Sequence, residues 1–586
     1  MPLLEKVILR DDADWLTFTG PSEVLTARQP KDVLPALIEA EKRVDADNLF
    51  AAGFVSYEAA SGFDPAHQTN PTGQLPLVCL GLFDKAQRSS DLDSSAVRAS
   101  MPLSWEMGEQ PEDYREKILE IKRQIALGNT YQINYTVRQY ASSVTDPWQL
   151  FLNVATDVSH AAYVECQDRA IISASPELFF QLDGDQLTCR PMKGTAPRGM
   201  TTESDLALRE ELQHSVKNRA ENVMIADMIR NDLGRVADSG SVRAQTLFDI
   251  EKLRTVWQMT STVSASTSEP VSEIFKAMFP CASITGAPKV ASMAIIAGLE
   301  DTPRDIYTGA IGYFGPHRRA RFSVAIRTAL VDKKTNDAIY GVGGGIVWDS
   351  EPGEEYRECL NKARILSAPH VDPQEFELLE TMLWTPEDGL FLLDKHLARL
   401  RSSATYFDFE FDPALIESAL SKLVQGLAPH RHRVRLLLRR DGQVQIAEQL
   451  LDAEKSTQAV TVVLARDPID KNDPFIYHKT THRDTYEKAL RIAGNVDDVL
   501  LWNEDGDITE TTIANVMVSI GGELYTPPVD CGLLGGTYRE HMLDTGQIEE
   551  RNINVSEIDS TTEITLVNSV RGAYSGRLRK PQSENL

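Results

Sequence analysis

Cysteine is scarce in this sequence. The 586 residues contain six cysteines, none of which forms a Cys-x-x-Cys pair: Cys79, Cys166, Cys189, Cys281, Cys359 and Cys531. Such scattered thiols exclude the disulfide framework of small secreted domains and a zinc site built on cysteine pairs. They fit a reducing cytoplasm, which is where we expect the protein.

Long apolar runs are also missing. No stretch approaches the roughly 18 apolar residues of a membrane-spanning helix, and acids stand near the start where a secretory signal needs an apolar core. Lysine and arginine (60) are outnumbered by aspartate and glutamate (86), so the formal charge is −26. This excess repels phosphate backbones and anionic lipid, which disfavours nucleic-acid and membrane partners. Small organic anions remain candidates where basic residues are gathered locally.

The chain divides near residue 370. There a helical pattern stops, two prolines follow (Pro369 and Pro373), and an apolar strand pattern begins at Phe376. The length exceeds a single hydrophobic core, and no internal repeat makes the two parts copies. We predict a first module at residues 1–368, a linker at 369–375 and a second module at 376–586.

Both hydrophobic periodicities occur in the first module. A helical pattern over residues 111–128 precedes strand-like alternation over 131–137. Further helices are predicted at 206–229 and 353–365, with a glycine-rich strand at 339–348. The mixture predicts an α/β (α+β) fold with large β-sheets flanked by helices.

Three features of the first module carry candidate chemistry: the motif Ser175-Pro-Glu-Leu-Phe179, the motif Arg190-Pro-Met-Lys-Gly-Thr195, and acids on predicted helices at Glu221, Glu355 and Glu358. Each is weak alone, because a lone lysine is usually a solvated surface charge. Lys193 stands out since it follows a strand pattern and lies between a proline and a Gly-Thr turn, where a loop could hold it rigidly.

At these residues the first module resembles the chorismate-utilising enzymes, the family of anthranilate synthase and aminodeoxychorismate synthase large subunits. The matching motifs occur in one order along nearly the whole module: Gly53–Glu58, Gly128–Asn134, Ser175–Phe179, Arg190–Thr195, Glu221 with Arg230–Gly234, Ser283–Lys289, Tyr307 with Gly312–Phe314, Arg327, and Gly343–Gly345 through Glu358. The resemblance implies the chorismate-binding fold of that family.

Two positions sort the activities within the family. Anthranilate synthases carry alanine where this chain has Lys193, whereas aminodeoxychorismate synthases typically carry lysine, so the resemblance implies amination at ring carbon 4. Salicylate and isochorismate synthases place a water-activating lysine where Gln132 stands, which disfavours water as the nucleophile. By resemblance, Lys193 attacks ring carbon 2 and Glu177 is the general acid/base. Gln258 departs from the histidine of many relatives.

The resemblance also implies a binding site. Glu221 and Glu358 match the family's Mg²⁺ ligands and Glu355 would support them, although a plain solvated pair of acids remains an alternative. Asn218 replaces a glutamate that anthranilate synthases have near the metal. The implied substrate contacts are Gly194, Thr195, Ser283, Tyr307, Arg327, Gly343, Gly344 and Gly345. The glycine run fits no nucleotide-binding motif.

The nitrogen source is implied to lie outside this chain. A glutaminase needs a cysteine on a Gly-x-Cys-x-Gly elbow, and the stretch Val78-Cys-Leu-Gly81 lacks the first glycine. Cys79 is therefore interpreted as buried filler. The resemblance implies a separate glutamine amidotransferase subunit as partner, with free ammonia as a substitute.

From Phe376 the chain resembles class IV, fold type IV pyridoxal-phosphate enzymes. The quoted motifs are Phe376–Thr381, His396–Leu400 with Ser403–Phe407, His478–Thr481 with Arg483 and Tyr486, Ile508–Asn515, Gly532–Thr537 with Arg539, and Asn568–Ser569. By resemblance, Lys479 binds the cofactor covalently and Glu510 faces its pyridine nitrogen. The implied phosphate contacts are Arg399, Gly536, Thr537 and Ser569, and Thr381 aligns with a position implicated in proton transfer. Two α/β subdomains, and a homodimer through this module, are implied.

These motifs do not separate branched-chain aminotransferase, D-amino-acid aminotransferase and aminodeoxychorismate lyase. Linkage favours the lyase, because the expected product of the first module, 4-amino-4-deoxychorismate, is its substrate. The hypothesis is a bifunctional enzyme that makes 4-aminobenzoate for folate synthesis. The alternatives are an amination module fused to a true transaminase, an anthranilate synthase-like activity, and an inactive scaffold.

Overall fold

The computed structural model describes residues 4–92, 103–155, 158–363, 366, 376–451, 459–559 and 561–579. The chain forms two compact units. The first consists of Met1–Arg198 with Leu208–His370, and the second of Gly199–Ala207 with Val371–Leu586. A short segment from inside the predicted first module therefore folds as part of the second unit. The predicted linker 369–375 lies outside the described residues.

The described strands of the first unit are β1 (Leu4–Asp11), β2 (Asp14–Thr19), β3 (Glu23–Ala27), β4 (Phe50–Val55), β5 (Val78–Phe83), β6 (Gln87–Ser89), β7 (Glu106–Met107), β8 (Gln132–Ala141), β9 (His160–Cys166), β10 (Arg169–Ser175), β11 (Leu178–Asp183), β12 (Gln186–Arg190), β13 (Met192–Pro197), β14 (Arg243–Lys252), β15 (Val256–Ser266), β16 (Gly286–Ala287), β17 (Ala310–Gly315), β18 (Arg319–Val324), β19 (Thr328–Asp332) and β20 (Ala338–Ile346).

The described helices up to residue 363 are α1 (Pro30–Asp47), α2 (Ala60–Phe63), α3 (Pro111–Ala126), α4 (Pro147–Ala155), α5 (Thr202–His214), α6 (Val216–Leu233), α7 (Val271–Met278), α8 (Lys289–Leu299) and α9 (Pro352–Ala363), with 3-10 turns at Tyr57–Ala59 and Ala282–Ile284. Helix α3 shows why such segments fold. Pro111 occupies its first turn beside Glu112, and Tyr114, Ile118 and Ile121 are buried at helical spacing.

Two large antiparallel sheets form the first unit. One has the strand order β16–β8–β20–β19–β10–β9–β1–β2–β6, with β7 beside β8. The other has the order β13–β15–β12–β11–β18–β17–β4–β5–β3, with β14 beside β15. Side chains from both sheets, including Val7, Phe18, Phe54 and Ile311, share one buried cluster. The sheets therefore pack face to face, and two further clusters join their outer faces to helices.

The second unit contains β21 (Leu378–Thr385), β22 (Gly389–Leu390), β23 (His432–Leu438), β24 (Val444–Leu450), β25 (Val460–Leu464), β26 (Asp498–Trp502), β27 (Ile508–Thr511), β28 (Asn515–Ile520), β29 (Glu523–Thr526), β30 (Glu549–Glu550), β31 (Ile564–Asn568) and β32 (Gly572–Arg579), and α10 (Leu393–Phe407), α11 (Pro413–Val424), α12 (Asp484–Ala493) and α13 (Thr537–Asp544), with 3-10 turns at Pro474–Ile476, Val529–Cys531 and Val555–Glu557.

Two sheets organise the second unit. The first is antiparallel, with the order β22–β21–β23–β24. The second has the order β27–β26–β25–β32–β31–β28–β29–β30, and an additional pairing of β27 with β28 closes six of its strands into a ring. Its β25 runs parallel to both β26 and β32. The mixed α/β architecture with large sheets confirms the predicted fold class.

Most of the helices and strands predicted from the sequence are confirmed, and one predicted helix is wrong. Helix α3, strand β8 and helix α9 occur where the periodicity placed them, and β20 accounts for the glycine-rich strand. The single helix predicted over 206–229 is wrong. Helix α5 ends at His214, and the Ser215 side chain caps α6 by accepting a hydrogen bond from the Asn218 backbone N–H. A serine cap leaves no trace in hydrophobic periodicity, which explains the error.

The structure also bears on the cysteines and on the search for membrane-spanning helices. All six cysteines are free and buried, and Cys79 lies within β5 with no exposed surface. None of the helices in the described ranges combines the length and apolar character that crossing a bilayer demands.

Candidate functional site

A cavity of about 180 Å³ opens in the first unit where the chain passes from one sheet to the other. Glu177 lies in the link between β10 and β11, which belong to different sheets, and Arg327 lies in the corresponding link between β18 and β19. All the site residues predicted for the first module line this cavity: Glu177, Lys193, Gly194, Thr195, Glu221, Ser283, Tyr307, Arg327, Gly343, Gly344, Gly345, Glu355 and Glu358.

Lys193 projects into the cavity from β13, at the edge of its sheet. Its backbone carbonyl accepts a hydrogen bond of 3.1 Å from the Asn222 side chain on α6. Its Nζ lies 3.3 Å from Glu221 Oε2, one residue earlier on that helix. A Cβ added at Gly345 would lie 2.5 Å from this Nζ, so a side chain at that position would force the amine to move. The backbone of Lys193 is thus held by α6, and its amine is paired with Glu221.

Glu177 is buried, with 2% of its surface exposed. The Ser283 hydroxyl donates a 2.7 Å hydrogen bond to Glu177 Oε1. Burial raises the pKa of Glu177 to about 7, against the opposing effects of Ser283, the Met192 backbone and Lys193. A carboxyl group that titrates near neutral pH is suited to both donating and accepting a proton.

Two acids on α9 face the same cavity. Burial raises the pKa of Glu355, and the nearby carboxylate of Glu358 adds to the shift. Glu358 lies 2.7 Å from Lys362 Nζ, which lowers the Glu358 pKa, and 47% of the Glu358 side chain is exposed. Lys362 also donates to the Gly343 carbonyl at 2.9 Å. Lys362 was not among the predicted site residues, although its position four residues after Glu358 was an available signal.

The predicted magnesium ligands share the cavity without forming one cluster. In the described part of the chain, no three His, Cys, Asp or Glu side chains are grouped as a metal site. Glu221 and Glu358 each contact a lysine instead. Mg²⁺ commonly takes one or two carboxylates together with waters and substrate oxygens, so the donor chemistry of this pair fits the ion.

The two predicted carboxylate contacts, Arg327 and Tyr307, line the same cavity. Arg327 adopts a left-handed backbone conformation (φ 50°), and burial lowers the pKa of its guanidinium group. Tyr307 is buried, and its ring packs so close to Gly341 that an added Cβ there would lie 2.1 Å from the ring. The cavity lining carries the basic residues Lys193, Lys217, Arg327 and Lys362 within a strongly acidic chain. This gathering is what binding of a small organic anion requires.

Both departures from the family pattern have structural roles. Gln258 Nε2 donates to the Gly194 carbonyl at 2.8 Å, and its Oε1 accepts from the Thr195 hydroxyl at 3.0 Å. Gln258 therefore holds β13 against β15. Asn218 donates to Ser215 Oγ at 3.0 Å within the cap of α6.

Gln132 is a further polar residue at this site. It is 1% exposed, and neither polar atom of its carboxamide has a hydrogen-bond partner among the described residues. A Cβ added at Gly345 would lie 2.6 Å from Gln132 Nε2, so this amide and the Lys193 amine approach the same glycine.

Lys479 lies in the second unit between a 3-10 turn and α12. Its carbonyl accepts a 2.9 Å hydrogen bond from the Leu379 N–H at the edge of β21. Burial lowers the pKa of its amine to about 8, with a further contribution from the positive charge of Arg399. Near neutral pH an amine with this pKa is uncharged in a far larger fraction of molecules than an ordinary lysine, and the uncharged form can act as a nucleophile.

Glu510 on β27 is buried and accepts three hydrogen bonds. Its donors are the Tyr486 hydroxyl at 2.8 Å, the Leu534 N–H at 3.1 Å and the Asn515 side chain at 3.2 Å. Burial raises the Glu510 pKa to about 7 despite these donors. A carboxyl group so fixed is suited to pairing with a ring nitrogen.

Arg399 reaches the turn that precedes α13. Its Nη1 donates to the Gly535 carbonyl at 3.0 Å, and its Nε and Nη2 hold Glu380 in a bidentate pair at 2.9 and 2.6 Å. His396 Nδ1 contacts the same carboxylate at 2.6 Å, and its Nε2 lies 3.3 Å from the Thr537 hydroxyl. Burial alone would raise the Glu380 pKa, but Arg399 and His396 outweigh it and lower the pKa to about 2.

Three of the predicted phosphate contacts, Arg399, Gly536 and Thr537, lie at this turn. Gly536 is the N-cap of α13 and Thr537 its first residue, and backbone N–H groups at such a helix start favour an anion. A Cβ added at Gly536 would lie 1.8 Å from Asn515 Oδ1, which excludes a side chain there. The Ser569 hydroxyl donates to the Thr381 carbonyl at 3.1 Å. The cofactor pyridoxal phosphate needs a lysine, an acid for its ring nitrogen and a phosphate site. Lys479, Glu510, and Arg399 with the N-terminus of α13 fit these three needs. Glu380 was missed, because its own motif gave it no role.

Comparisons with known proteins agree with both units. Residues 5–368 match the chorismate binding enzyme family, and residues 377–577 match amino-transferase class IV. An aminodeoxychorismate synthase component 1 from Salmonella typhimurium is 38% identical over 386 residues, which cover 60% of this chain and 84% of that protein. An aminodeoxychorismate synthase from Streptomyces griseus is 34% identical over 354 residues, covering 59% of this chain but 45% of that protein.

The chain thus spans less than half the length of the Streptomyces relative. Anthranilate synthase component I from Streptococcus pneumoniae has a similar crystal structure, with a TM-score of 0.52 and 22% identity over 62% of this chain and 92% of that one. This likeness shows a shared fold. Because the first family match spans more than half of the 586 residues, the chain belongs to the chorismate binding enzyme family, and it carries a class IV aminotransferase domain in the same polypeptide.

Proposed function

We propose that the first unit aminates chorismate at ring carbon 4 with ammonia, and that the second unit eliminates pyruvate from the product to leave 4-aminobenzoate. The observation that carries this proposal is the amine of Lys193, held in a cavity that also contains a buried carboxyl group, Glu177, with a pKa of about 7. The aminodeoxychorismate synthase relatives support the same chemistry.

The first step adds Lys193 to the substrate ring. Its uncharged amine forms a bond to ring carbon 2, the two ring double bonds each shift by one position, and the hydroxyl at carbon 4 leaves as water with a proton from Glu177. Glu177 must be protonated for this role, which its raised pKa allows near neutral pH. Glu221, 3.3 Å from Lys193 Nζ, is placed to take the proton that the ammonium group loses.

Ammonia then replaces the lysine. It attacks carbon 4, the double bonds shift back, and the bond between carbon 2 and Lys193 Nζ breaks. The ammonium group formed at carbon 4 returns a proton to Glu177, so both residues are regenerated. Position 132 carries glutamine in place of a water-activating lysine, and the Gln132 amide, which lies beside Gly345 of the lining, has no hydrogen-bond partner among the described residues. This favours ammonia over water as the attacking group. A separate glutamine amidotransferase is the proposed source of ammonia.

Mg²⁺ would be held by Glu221 and Glu358, with Glu355 beside them. The ion would supply positive charge to a substrate carboxylate, a role that hard oxygen-ligand cations fill well. Arg327 and Tyr307 are the proposed contacts of a second carboxylate, because both line the same cavity. Gly194, Thr195, Ser283 and Gly343–Gly345 would shape the remaining lining.

The second unit carries out the elimination in this proposal. Pyridoxal phosphate, when bound, supplies an electron sink for removal of the proton at carbon 4 of the intermediate. Lys479 is the proposed proton carrier, since its pKa is lowered to about 8 and its amine is close to Arg399 and Glu510. Loss of this proton and of the enolpyruvyl group from carbon 3 makes the ring aromatic and releases pyruvate.

The test is to follow the products of the purified chain. Chorismate, ammonium, Mg²⁺ and pyridoxal phosphate should yield 4-aminobenzoate and pyruvate in equal amounts. Anthranilate as the main product would refute amination at carbon 4. Amination without pyruvate release, together with exchange of an amino group between an added keto acid and an amino donor, would identify the second unit as a transaminase instead.

A further inference from the structure

The segment Gly199–Ala207 belongs to the second unit although the chorismate binding family match, residues 5–368, encloses it. It begins two residues after the end of β13. A turn organises the segment internally, because the Gly199 N–H donates to Asp205 Oδ1 at 2.9 Å. Thr202 and Asp205 are buried at 7% and 3% exposure, so the segment is packed rather than solvated.

Two hydrogen bonds attach this segment to α10. The Thr202 hydroxyl donates to the Ser402 carbonyl at 2.8 Å, and the Tyr406 hydroxyl donates to the Gly199 carbonyl at 2.9 Å. Helix α10 is the helix that carries Arg399, a proposed phosphate contact. The segment is therefore attached to one of the elements that build the lysine site.

His478 connects the segment to the loop that carries Lys479, which is the second element that builds the lysine site. Its Nε2 lies 3.1 Å from the Met200 carbonyl, and its Nδ1 lies 3.0 Å from the Ser403 hydroxyl on α10. A carbonyl can only accept, so Nε2 must carry the hydrogen. The imidazole is buried, with its centroid 4.3 Å from the Tyr406 ring and 5.0 Å from the Phe407 ring. Ring packing and two hydrogen bonds leave His478 a single orientation.

Lys479 is the next residue along the chain. Its carbonyl is bound by the Leu379 N–H of β21, so the loop is held on one side by a strand and on the other by the segment. We propose that Gly199–Ala207 is a positioning element for Lys479: through His478 it fastens the lysine loop to α10 and so sets where the amine lies. This inference rests on the role proposed above for Lys479 and goes beyond what either family match assigns.

Hydrogen exchange of the full chain without cofactor tests the proposal. The double variant Thr202→Val/Tyr406→Phe removes the two hydroxyl donors to or from the segment and keeps both side-chain shapes. We expect amides in residues 199–207 and in residues 477–481 to exchange about tenfold faster than in the unaltered chain, the size that loss of one or two hydrogen bonds predicts. The rate at which an amine-reactive reagent labels Lys479 should change together with the exchange of these amides.

Thr545→Val is the matched control. It removes one exposed hydroxyl just after α13, whose hydrogen-bond partners are the His541 and Met542 carbonyls and the Gln547 side chain, and it should leave both peptides unchanged. Faster exchange in 199–207 with no change in 477–481 or in Lys479 labelling would overturn the proposal, as would no change in either peptide. Thr202→Val alone provides the same comparison if the double variant fails to fold.

A second readout separates this inference from the proposed function. Supplied 4-amino-4-deoxychorismate is tested as substrate for the unaltered chain. If both peptides loosen together but no pyruvate is released, the segment still positions the lysine and the lyase assignment fails. If pyruvate is released and the Lys479 peptide is indifferent to the double variant, the positioning role fails alone.

Discussion

The two units each place a lysine at the centre of a site, in opposite surroundings. Lys193 is paired with a carboxylate, Glu221 at 3.3 Å, in a cavity whose lining mixes four basic residues with four acids. Lys479 lies near Arg399 and Arg483, and burial with these positive charges lowers the pKa of its amine to about 8. The first lysine thus has a carboxylate as its ion-pair partner, whereas burial and positive neighbours favour the uncharged form of the second.

The buried acids of the two sites differ in the direction of their pKa shifts. Glu177 and Glu510 are buried with a raised pKa of about 7, and both contact hydroxyl or amide donors. Glu380 is equally buried, yet Arg399 and His396 lower its pKa to about 2. Burial raises the pKa of a carboxyl group unless a cation lies in direct contact. The contrast separates acids suited to proton transfer from an acid that holds an arginine.

The largest expected effect comes from removing one lysine at a time. Lys193→Ala should reduce amination of chorismate by more than about 10³-fold, since the proposed covalent step is lost. The same variant should convert supplied 4-amino-4-deoxychorismate to 4-aminobenzoate at nearly the normal rate. Lys479→Ala should show the reverse pattern. Product analysis by chromatography measures both, and equal loss of both activities in either variant would contradict two separate sites.

Glu177→Gln should reduce amination by about 10²- to 10⁴-fold, the usual contribution of a general acid or base. It should also change stability with a defined sign. Because folding raises the Glu177 pKa from 4.5 to about 7, its contribution is favourable below pH 4.5 and is lost as pH rises through 7. The variant should therefore be more stable than the unaltered chain at pH 8, by up to about 3 kcal/mol, and show no such gain at pH 4.5.

Calorimetry of the two proteins at both pH values measures this difference. Glu116→Gln, an exposed substitution on α3, is the control and should leave both the rate and the pH dependence unchanged. A gain in stability at pH 4.5 as large as that at pH 8 would show that the Glu177 carboxyl group is not the cause.

Glu380→Gln should weaken the second unit. Its folded pKa is about 2, below 4.5, so the carboxylate stabilises the fold above pH 4.5 and this contribution is lost as pH falls towards 2. The expected loss is about 3 kcal/mol at pH 7 and clearly less at pH 3. Affinity for pyridoxal phosphate should fall about tenfold or more, because Arg399 loses its bidentate partner. Denaturant unfolding and absorbance titration provide the measurements.

The control for this variant is Glu540→Gln. Glu540 pairs with Lys395 at 2.8 Å, but 54% of its side chain is exposed, and exposed pairs contribute little. The comparison fails if Glu540→Gln costs as much stability as Glu380→Gln, or if the loss at pH 3 equals that at pH 7.

The smallest expected effect is a shift in the pH at which the Lys479 amine becomes reactive towards a chemical label. Modification of the Lys479 amine by an acylating reagent in the cofactor-free chain should be half-maximal near pH 8, since burial and Arg399 lower its pKa from 10.5. Mass spectrometry of the labelled peptide gives the profile, with exposed Lys488 reporting the intrinsic rate of the reagent. A midpoint above pH 10 would remove the difference drawn between the two lysines.

Periodicity predicted elements where a single face is buried. Helix α3 was recognised because Tyr114, Ile118 and Ile121 repeat at helical spacing. Strand β8 is buried on both faces along most of its length, so its alternation gave the right element but no inner and outer face. The break between α5 and α6 depends on one serine hydroxyl and escaped prediction.

Motifs predicted which residues line the cavity better than they predicted the partners of the site residues. Every residue assigned to the first module lines the cavity. Lys362 and Glu380 were missed, since a lysine on a helix and a glutamate in a strand are common in any sequence. Their importance appears only when their carboxylate or guanidinium partner is seen within hydrogen-bond distance. The magnesium ligands remain a prediction, because the three acids are not grouped at one point.

The sequence by itself determined the chemical inventory: two lysines in ordered motifs, the acids that accompany them, and a fold class that follows from mixed periodicity. Tertiary structure alone decided which charges are neighbours, and therefore which acids titrate near neutral pH and which lysine has a lowered pKa. It also decided that Gly199–Ala207 folds with the second unit. Hydrogen bonds and desolvation act over a few ångströms in space, and residues far apart in the chain reach those distances only after folding.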